Sequence, residues 1–134
     1  MVLLAASFSL SRCTKPATTT PATVTCSNPG TSVNIGGSAG GVYYATVSGA
    51  DNIMLDNTVL NLSVTSPPFN TVETIMDAGV QTCPDFSYSG TPSASAVAYK
   101  KSHGYVGKFA DGHIVKFVTT SYSGGVALIA YIYQ

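Results

Sequence analysis

Charge is scarce in this chain. Only 6 of its 134 residues are Lys or Arg, 6 are Asp or Glu, and tryptophan is absent. Without a basic field there is nothing to draw in the phosphates of a nucleic acid, so none is expected as a partner. Catalytic signatures are missing too: no Ser-His-Asp order, GxSxG elbow, HExxH helix or phosphate-binding loop occurs. With no paired acid and base to work with, the chain reads as non-enzymatic. The three cysteines show no CxxC spacing and no histidine lies near Cys26 or Cys83, which argues against a metal held by those thiols. Long helix-forming runs of Glu, Lys, Leu and Ala are also lacking.

What remains is a chain that is 45% hydrophobic, with 13 glycines, 8 tyrosines and many serines and threonines. That balance suits an extracytoplasmic β protein kept soluble by hydroxyls and amides.

The beginning of the chain points the same way. Residues 2–10, "VLLAASFSL", form an apolar run too short to span a bilayer, and fit the h-region of a signal peptide. Leu10-Ser11-Arg12-Cys13 resembles a bacterial lipoprotein cleavage box, in which residues 1–12 are removed and Cys13 carries the lipid. Arg12 departs from the small residue usual before that cysteine, and the basic n-region is missing, as though the start lay further upstream. An ordinary secretory signal and a buried apolar strand are the alternatives. On the lipoprotein reading the protein belongs to the cell envelope of a Gram-negative bacterium, held to the outer membrane through Cys13. Cysteine parity then leaves Cys26 and Cys83 as an even pair, expected to bridge in an oxidising compartment. Residues 13–25, with "TKPATTTPATVT" after Cys13, cannot bury enough apolar surface to fold and read as an extended tether. Residues 26–134 form the domain.

Within the domain, short strand-like runs alternate with turn signals. Candidates are 41–48 (GVYYATVS), 58–64 (TVLNLSV, with Leu60, Leu62 and Val64 on one face) and 95–101 (SAVAYKK). Residues 72–80 (VETIMDAGV) fit a strand or one helical turn, and Pro67-Pro68 ends the run before them. The glycine-rich 34–41 (NIGGSAGG) reads as a flexible loop. Asp51-Asn52 and Asp56-Asn57 invite a calcium reading, but two Asx turns bracketing "IML" explain them more simply.

The C-terminal third is the most legible part. Asp111-Gly112 lies between two alternating runs, the pattern of a tight hairpin. A two-residue loop there pairs Ala110 with His113, Phe109 with Ile114, Val106 with Phe117 and Tyr105 with Val118. Ser123-Gly124-Gly125 turns the chain into "VALIAYIY" (126–133), apolar on both faces and suited to a central strand. The expected fold is all-β: a small antiparallel sandwich or half-barrel ending in a three-stranded meander.

The only two histidines, His103 and His113, fall on this hairpin. Seven or eight extended residues separate their levels, on the order of 25 Å at ~3.3 Å per residue, so one ion cannot hold both. Each would need a partner from elsewhere. The tyrosines offer a further possibility, since rings on a half-wet sheet face can bind flat apolar ligands or glycans, although tyrosine is also a good strand residue. His103, His113, Tyr105 and Tyr131 are therefore the candidate ligand-binding residues.

"GYVGKFADGHIVKFVTTSY" (104–122) and "GGVALIAYIYQ" (124–134) resemble the closing strands of HmuY-like haem-binding lipoproteins of Gram-negative bacteria. "HGYV" and "SGG" also resemble pieces of exported bacterial lipoproteins of similar architecture. The resemblance covers about the last 35 residues, implies an all-β, lipid-anchored domain, and makes haem acquisition an option. The family's haem-ligating histidines lie upstream of this hairpin and have no counterpart here, so no ligand is assigned. The sequence thus leads to a lipid-anchored, non-enzymatic envelope protein, needing no cofactor, that binds a small molecule or protein through a tyrosine-bearing sheet face. A haem-acquisition protein and a self-associating structural protein using exposed sheet edges are the alternatives.

Overall fold

The computed structural model describes residues 24–39, 41–64, 73–123 and 126–134. Residues 1–12, read above as a signal peptide, Cys13, most of residues 14–25, Pro67-Pro68 and Gly124-Gly125 lie outside the described residues.

Ten strands and no helix occur among the described residues: β1 (Thr31–Ile35), β2 (Gly37–Ala39), β3 (Val42–Ser48), β4 (Asp51–Asp56), β5 (Val59–Ser63), β6 (Thr74–Val80), β7 (Val97–Ala98), β8 (His103–Lys108), β9 (Ile114–Ser123) and β10 (Val126–Tyr133). They form two antiparallel five-stranded sheets, β1-β10-β9-β8-β6 and β2-β3-β4-β5-β7. The expected all-β sandwich, with its closing β8-β9-β10 meander, is what the chain adopts. Only Gly36 separates β1 from β2, so the chain changes sheets at that corner.

Alternation builds the core. Leu60 and Leu62 of β5, Ile53 and Leu55 of β4, Tyr105 of β8, Val115 and Phe117 of β9 and Ile129 of β10 meet between the sheets, all essentially inaccessible to solvent. Tyr105 stacks on Phe117 with ring centroids 5.2 Å apart. Gly107, two residues along the same face, leaves the space that Leu62 of the other sheet enters: a Cβ at Gly107 would lie 2.4 Å from Leu62 Cδ1. The outer face of β8 and β9 is covered as well. Residues 81–96 pass over it and bring Phe86 against Val106, Val118 and Ala130. Lys116 Nζ donates to the Phe86 carbonyl at 3.1 Å and lies 5.7 Å from the centre of its ring. This explains why β8 and β10 carry apolar residues on both faces; β10 sits inside its sheet between β1 and β9.

The covering segment is fastened to the start of the domain. Cys26 and Cys83 form the expected disulfide, and the Asn28 N–H donates to Asp85 Oδ2 at 2.8 Å beside it.

Four local readings are corrected by the structure. The β8–β9 loop has three residues rather than two: Gly112 N–H donates to the Phe109 carbonyl and Phe109 N–H to the His113 carbonyl. Tyr105 therefore pairs with Phe117 and Gly104 with Val118, one residue out from the expected register. A type I turn followed by a left-handed glycine gives this loop, and Gly112 has φ +97°. The supposed flexible loop at 34–41 contributes the end of β1 and all of β2, whose backbone pairs with Tyr43 and Tyr44 of β3. "DNIMLD" is a strand in the middle of its sheet, with Asp51 inside it rather than in a preceding turn. Within 72–80, Thr74–Val80 form the strand β6, whereas 95–101 contributes only the two residues of β7.

Closing a loop that spans a sequence separation of 57 residues should constrain the unfolded chain by about 4 kcal/mol. Replacing Cys26 and Cys83 together by alanine is expected to lower unfolding stability by roughly that amount in denaturant titrations. An unchanged midpoint would show that the bridge does not constrain the chain.

Candidate functional site

His103 opens β8 and lies on the same face as Tyr105, two residues on. In register opposite Tyr105 stands Asp77 of β6, just before a bulge. Gly79 takes φ +77° in that bulge and turns its N–H back onto Asp77 Oδ1 at 2.8 Å. His103 Nδ1 donates to the same oxygen at 2.8 Å, and Lys100 Nζ to Oδ2 at 3.0 Å. Burial opposes ionisation of Asp77, but the bonds from His103, Gly79 and Lys100 outweigh it and hold the carboxyl below its ordinary range. The bend carrying Lys100 and His103 is itself pinned: Lys100 N–H donates to the Tyr105 hydroxyl at 2.7 Å, and Thr119 Oγ1 donates to the Lys100 carbonyl at 2.9 Å. His103 is thus the centre of a satisfied network that fastens β6, β8 and β9 at one end of the sandwich.

His113 belongs to the opposite end of the same hairpin. Its N–H donates to Asp111 Oδ1 at 3.0 Å and its Nδ1 to Asp111 Oδ2 at 2.7 Å. These two bonds, the backbone one foremost, lower the Asp111 pKa. Asp51, at the start of β4 in the other sheet, arrives at the same place. It is only 6% exposed and accepts a short bond from the Tyr133 hydroxyl of β10. Tyr133 also lies beside the His113 ring, centroids 5.0 Å apart, and beside Phe109 at 6.1 Å. One donor atom from each of Asp51, Asp111 and His113 lies within 4.8 Å of the other two. Burial, followed by the bond to Asp51 and the charges of Asp51 and Asp111, pushes the Tyr133 phenol up to about 12.

Of the four candidate ligand-binding residues, the structure brings His103 and Tyr105 together, ring centroids 6.5 Å apart. His103 and His113 have different carboxylate partners, contributed by different parts of the fold. Tyr105 has no exposed surface, and its hydroxyl, which accepts from Lys100 N–H, donates to the Ala98 carbonyl at 3.1 Å. Tyr131 reaches across the sandwich to the Val47 carbonyl at 3.3 Å and, with Asn28, Thr31 and Tyr133, lines a cleft of about 430 Å³. The tyrosines with the most exposed surface are Tyr88 and Tyr122.

Three residues of these clusters were not singled out by sequence reasoning as partners: Asp51, Asp77 and Tyr133. Asp111 was assigned only to its turn. Strand parity carries a weak signal for Asp51, which shares a face with Ile53 and Leu55 and so points inward. Nothing in the linear chain signals that Asp77 meets His103, because their pairing depends on the β6 bulge.

Because the Asp77 carboxyl titrates below its unfolded value, its contribution is present above about pH 4 and is lost as pH falls through the folded pKa. In unfolding curves measured from pH 2 to 7, Asp77→Asn should be less stable than the parent near neutrality. The two curves should converge in acid. A constant difference across the range would show that ionisation of Asp77 does not stabilise the fold.

No protein-family model, curated protein or solved structure matches this chain.

Proposed function

We propose that this protein is an exported, lipid-anchored, non-enzymatic component of the bacterial cell envelope that displays a rigid β-sandwich for binding a small molecule or protein. The observation that carries the reading is the Cys26–Cys83 disulfide. Disulfides of this kind form and persist in oxidising compartments outside the cytoplasm. The bridge also uses up the even pair of cysteines, leaving Cys13, the residue a lipoprotein box would modify, as the odd thiol.

The placement of Cys26 adds support. It lies one residue beyond the Thr/Pro-rich segment, so the bridge anchors the point where a tether would enter the domain. Pulling on the tether would then load a covalent bond and the sheet beneath Phe86 rather than peel β1 away.

The haem-acquisition alternative rests on the likeness of β8–β10 to the HmuY-like proteins. In this fold a haem would have to take its axial bonds from His103 or His113 singly, since the two stand at opposite ends of the hairpin. Self-association would use the outer edges of β1, β6, β2 and β7, the terminal strands of the two sheets.

Metabolic labelling with a fatty-acid analogue should mark the expressed chain in the membrane fraction, and Cys13→Ala should abolish the label and release the protein. An unlabelled, soluble parent chain would end the anchoring reading. Haem added to the purified protein is expected to leave the Soret band unshifted. A shift abolished by replacing one of the two histidines would establish the haem alternative in its place.

A further inference from the structure

The end of the sandwich where the β8–β9 turn meets the β3–β4 turn gathers two carboxyl groups and an imidazole. Asp51 is buried there, and its hydrogen-bond partner among the described residues is a neutral phenol, Tyr133. Among the described residues it forms no ion pair with a lysine or arginine. A carboxylate taken out of water without a cationic partner is costly. The groups closest to hand are a second carboxylate, Asp111, and the imidazole of His113.

We propose that Asp51, Asp111 and His113 form a binding site for a divalent transition-metal cation of the zinc class. The three donors already converge, each within 4.8 Å of the others. Ligands at ~2.0–2.2 Å from a tetrahedral ion lie about 3.4 Å apart, so closing the site requires side-chain shifts of at most roughly 1.5 Å. The two residues that would move lie at the surface, their side chains 49% and 51% exposed, and the bond between His113 Nδ1 and Asp111 Oδ2 would give way to the ion. Asp51, by contrast, is fixed. Its neighbour Asn52 holds the β3–β4 turn by accepting from Thr46 Oγ1 at 2.7 Å and donating to the Ala50 carbonyl at 2.6 Å.

The donor chemistry selects the class of ion. One imidazole nitrogen with two carboxylate oxygens suits Zn²⁺ and its first-row neighbours, whereas Ca²⁺ takes six to eight oxygens and Mg²⁺ an octahedral oxygen set. The Tyr133 hydroxyl, already bonded to Asp51, would orient a ligating carboxylate from outside the coordination sphere. Three protein ligands leave a fourth position facing solvent on the exposed side of the cluster. A bound ion would join β4 of one sheet to the β8–β9 turn of the other, and its open position would accept a donor from a small molecule or a partner. The inference stands apart from the export reading, because it depends on neither the anchor nor the compartment.

The chain has only two histidines, which makes the test clean. The purified full-length protein, stripped with chelator, is titrated with ZnCl₂ by calorimetry while the imidazole resonances are followed by NMR. One Zn²⁺ per chain is expected, with the His113 resonances shifting and a rise in melting temperature. His113→Gln, at an exposed position, should fold normally and weaken Zn²⁺ binding by about tenfold or more. His103→Gln should bind as the parent does. Asp51→Asn should weaken binding as well, with circular dichroism reporting whether its sandwich is intact. Binding unaffected by His113→Gln, lost on His103→Gln, or absent at 100-fold molar excess of Zn²⁺ would overturn the assignment. So would tighter binding of CaCl₂ than of ZnCl₂.

Discussion

The three-residue turn at Ala110-Asp111-Gly112 sets the register on which the rest of this sandwich depends. Because side chains alternate along a strand, a slip of one residue exchanges the two faces of β8 relative to β9. With a two-residue loop, Tyr105 would face Val118 and join the layer now occupied by Val106 and Phe86. With the loop that forms, Tyr105 meets Phe117 inside the sandwich, and Gly107 presents a gap to Leu62 of the opposite sheet. Gly112 makes this possible by taking a backbone conformation that other residues rarely adopt. The Asp111 carboxylate secures it by accepting the His113 N–H. The same turn delivers His113 and Asp111 together to one end of the sandwich and leaves His103 at the other.

Around that register the molecule is built in three layers rather than two. The sheets enclose the main core, and residues 81–96 seal a smaller one on the outer side of β6, β8, β9 and β10. This covering segment has little secondary structure, so backbone pairing holds it weakly. Three fastenings compensate: the disulfide to Cys26, the Asn28–Asp85 bond, and Lys116 beneath Phe86. The lone bridge between Ile75 and Ala94 returns it to the edge of β6. A chain with so few charges thus places one of its lysines against the sheet and spends it on a backbone carbonyl and a ring.

The two ends of the β8–β9 hairpin show how differently similar groups are used. Asp77 accepts from His103, Lys100 and the Gly79 N–H, and the result is a fastening. Asp51, Asp111, His113 and Tyr133 meet with no lysine among them, and the result is the proposed cation site. Both clusters combine carboxylate and imidazole. The difference is the neighbour: Lys100 and the Gly79 N–H at one end, a phenol at the other. Both histidines were visible in the sequence and so was their separation. Their partners were not, since Asp77 reaches His103 through the Gly79 bulge and Asp51 reaches His113 across the sandwich from the other sheet.

The sequence by itself determined the class of fold, the closing meander and the cysteine pair. Those follow from local chemistry: period-two alternation, turn residues at their required places, and, for the cysteines, the reading of Cys13 as the lipid site. It also located the hairpin to within one residue, but Asp-Gly serves both a two-residue and a three-residue loop, and local preference does not choose between them. Tertiary structure made that choice, because only one register buries Tyr105 and Phe117 together and lets Leu62 into the gap at Gly107. It likewise decided that a glycine-rich stretch would become an edge strand, since β3 supplied the backbone partners that Gly37–Ala39 lacks alone. And it decided which acids matter: a carboxylate's role rests on what lies within a few ångströms of it, and for Asp51 that neighbourhood comes from residues more than fifty positions away.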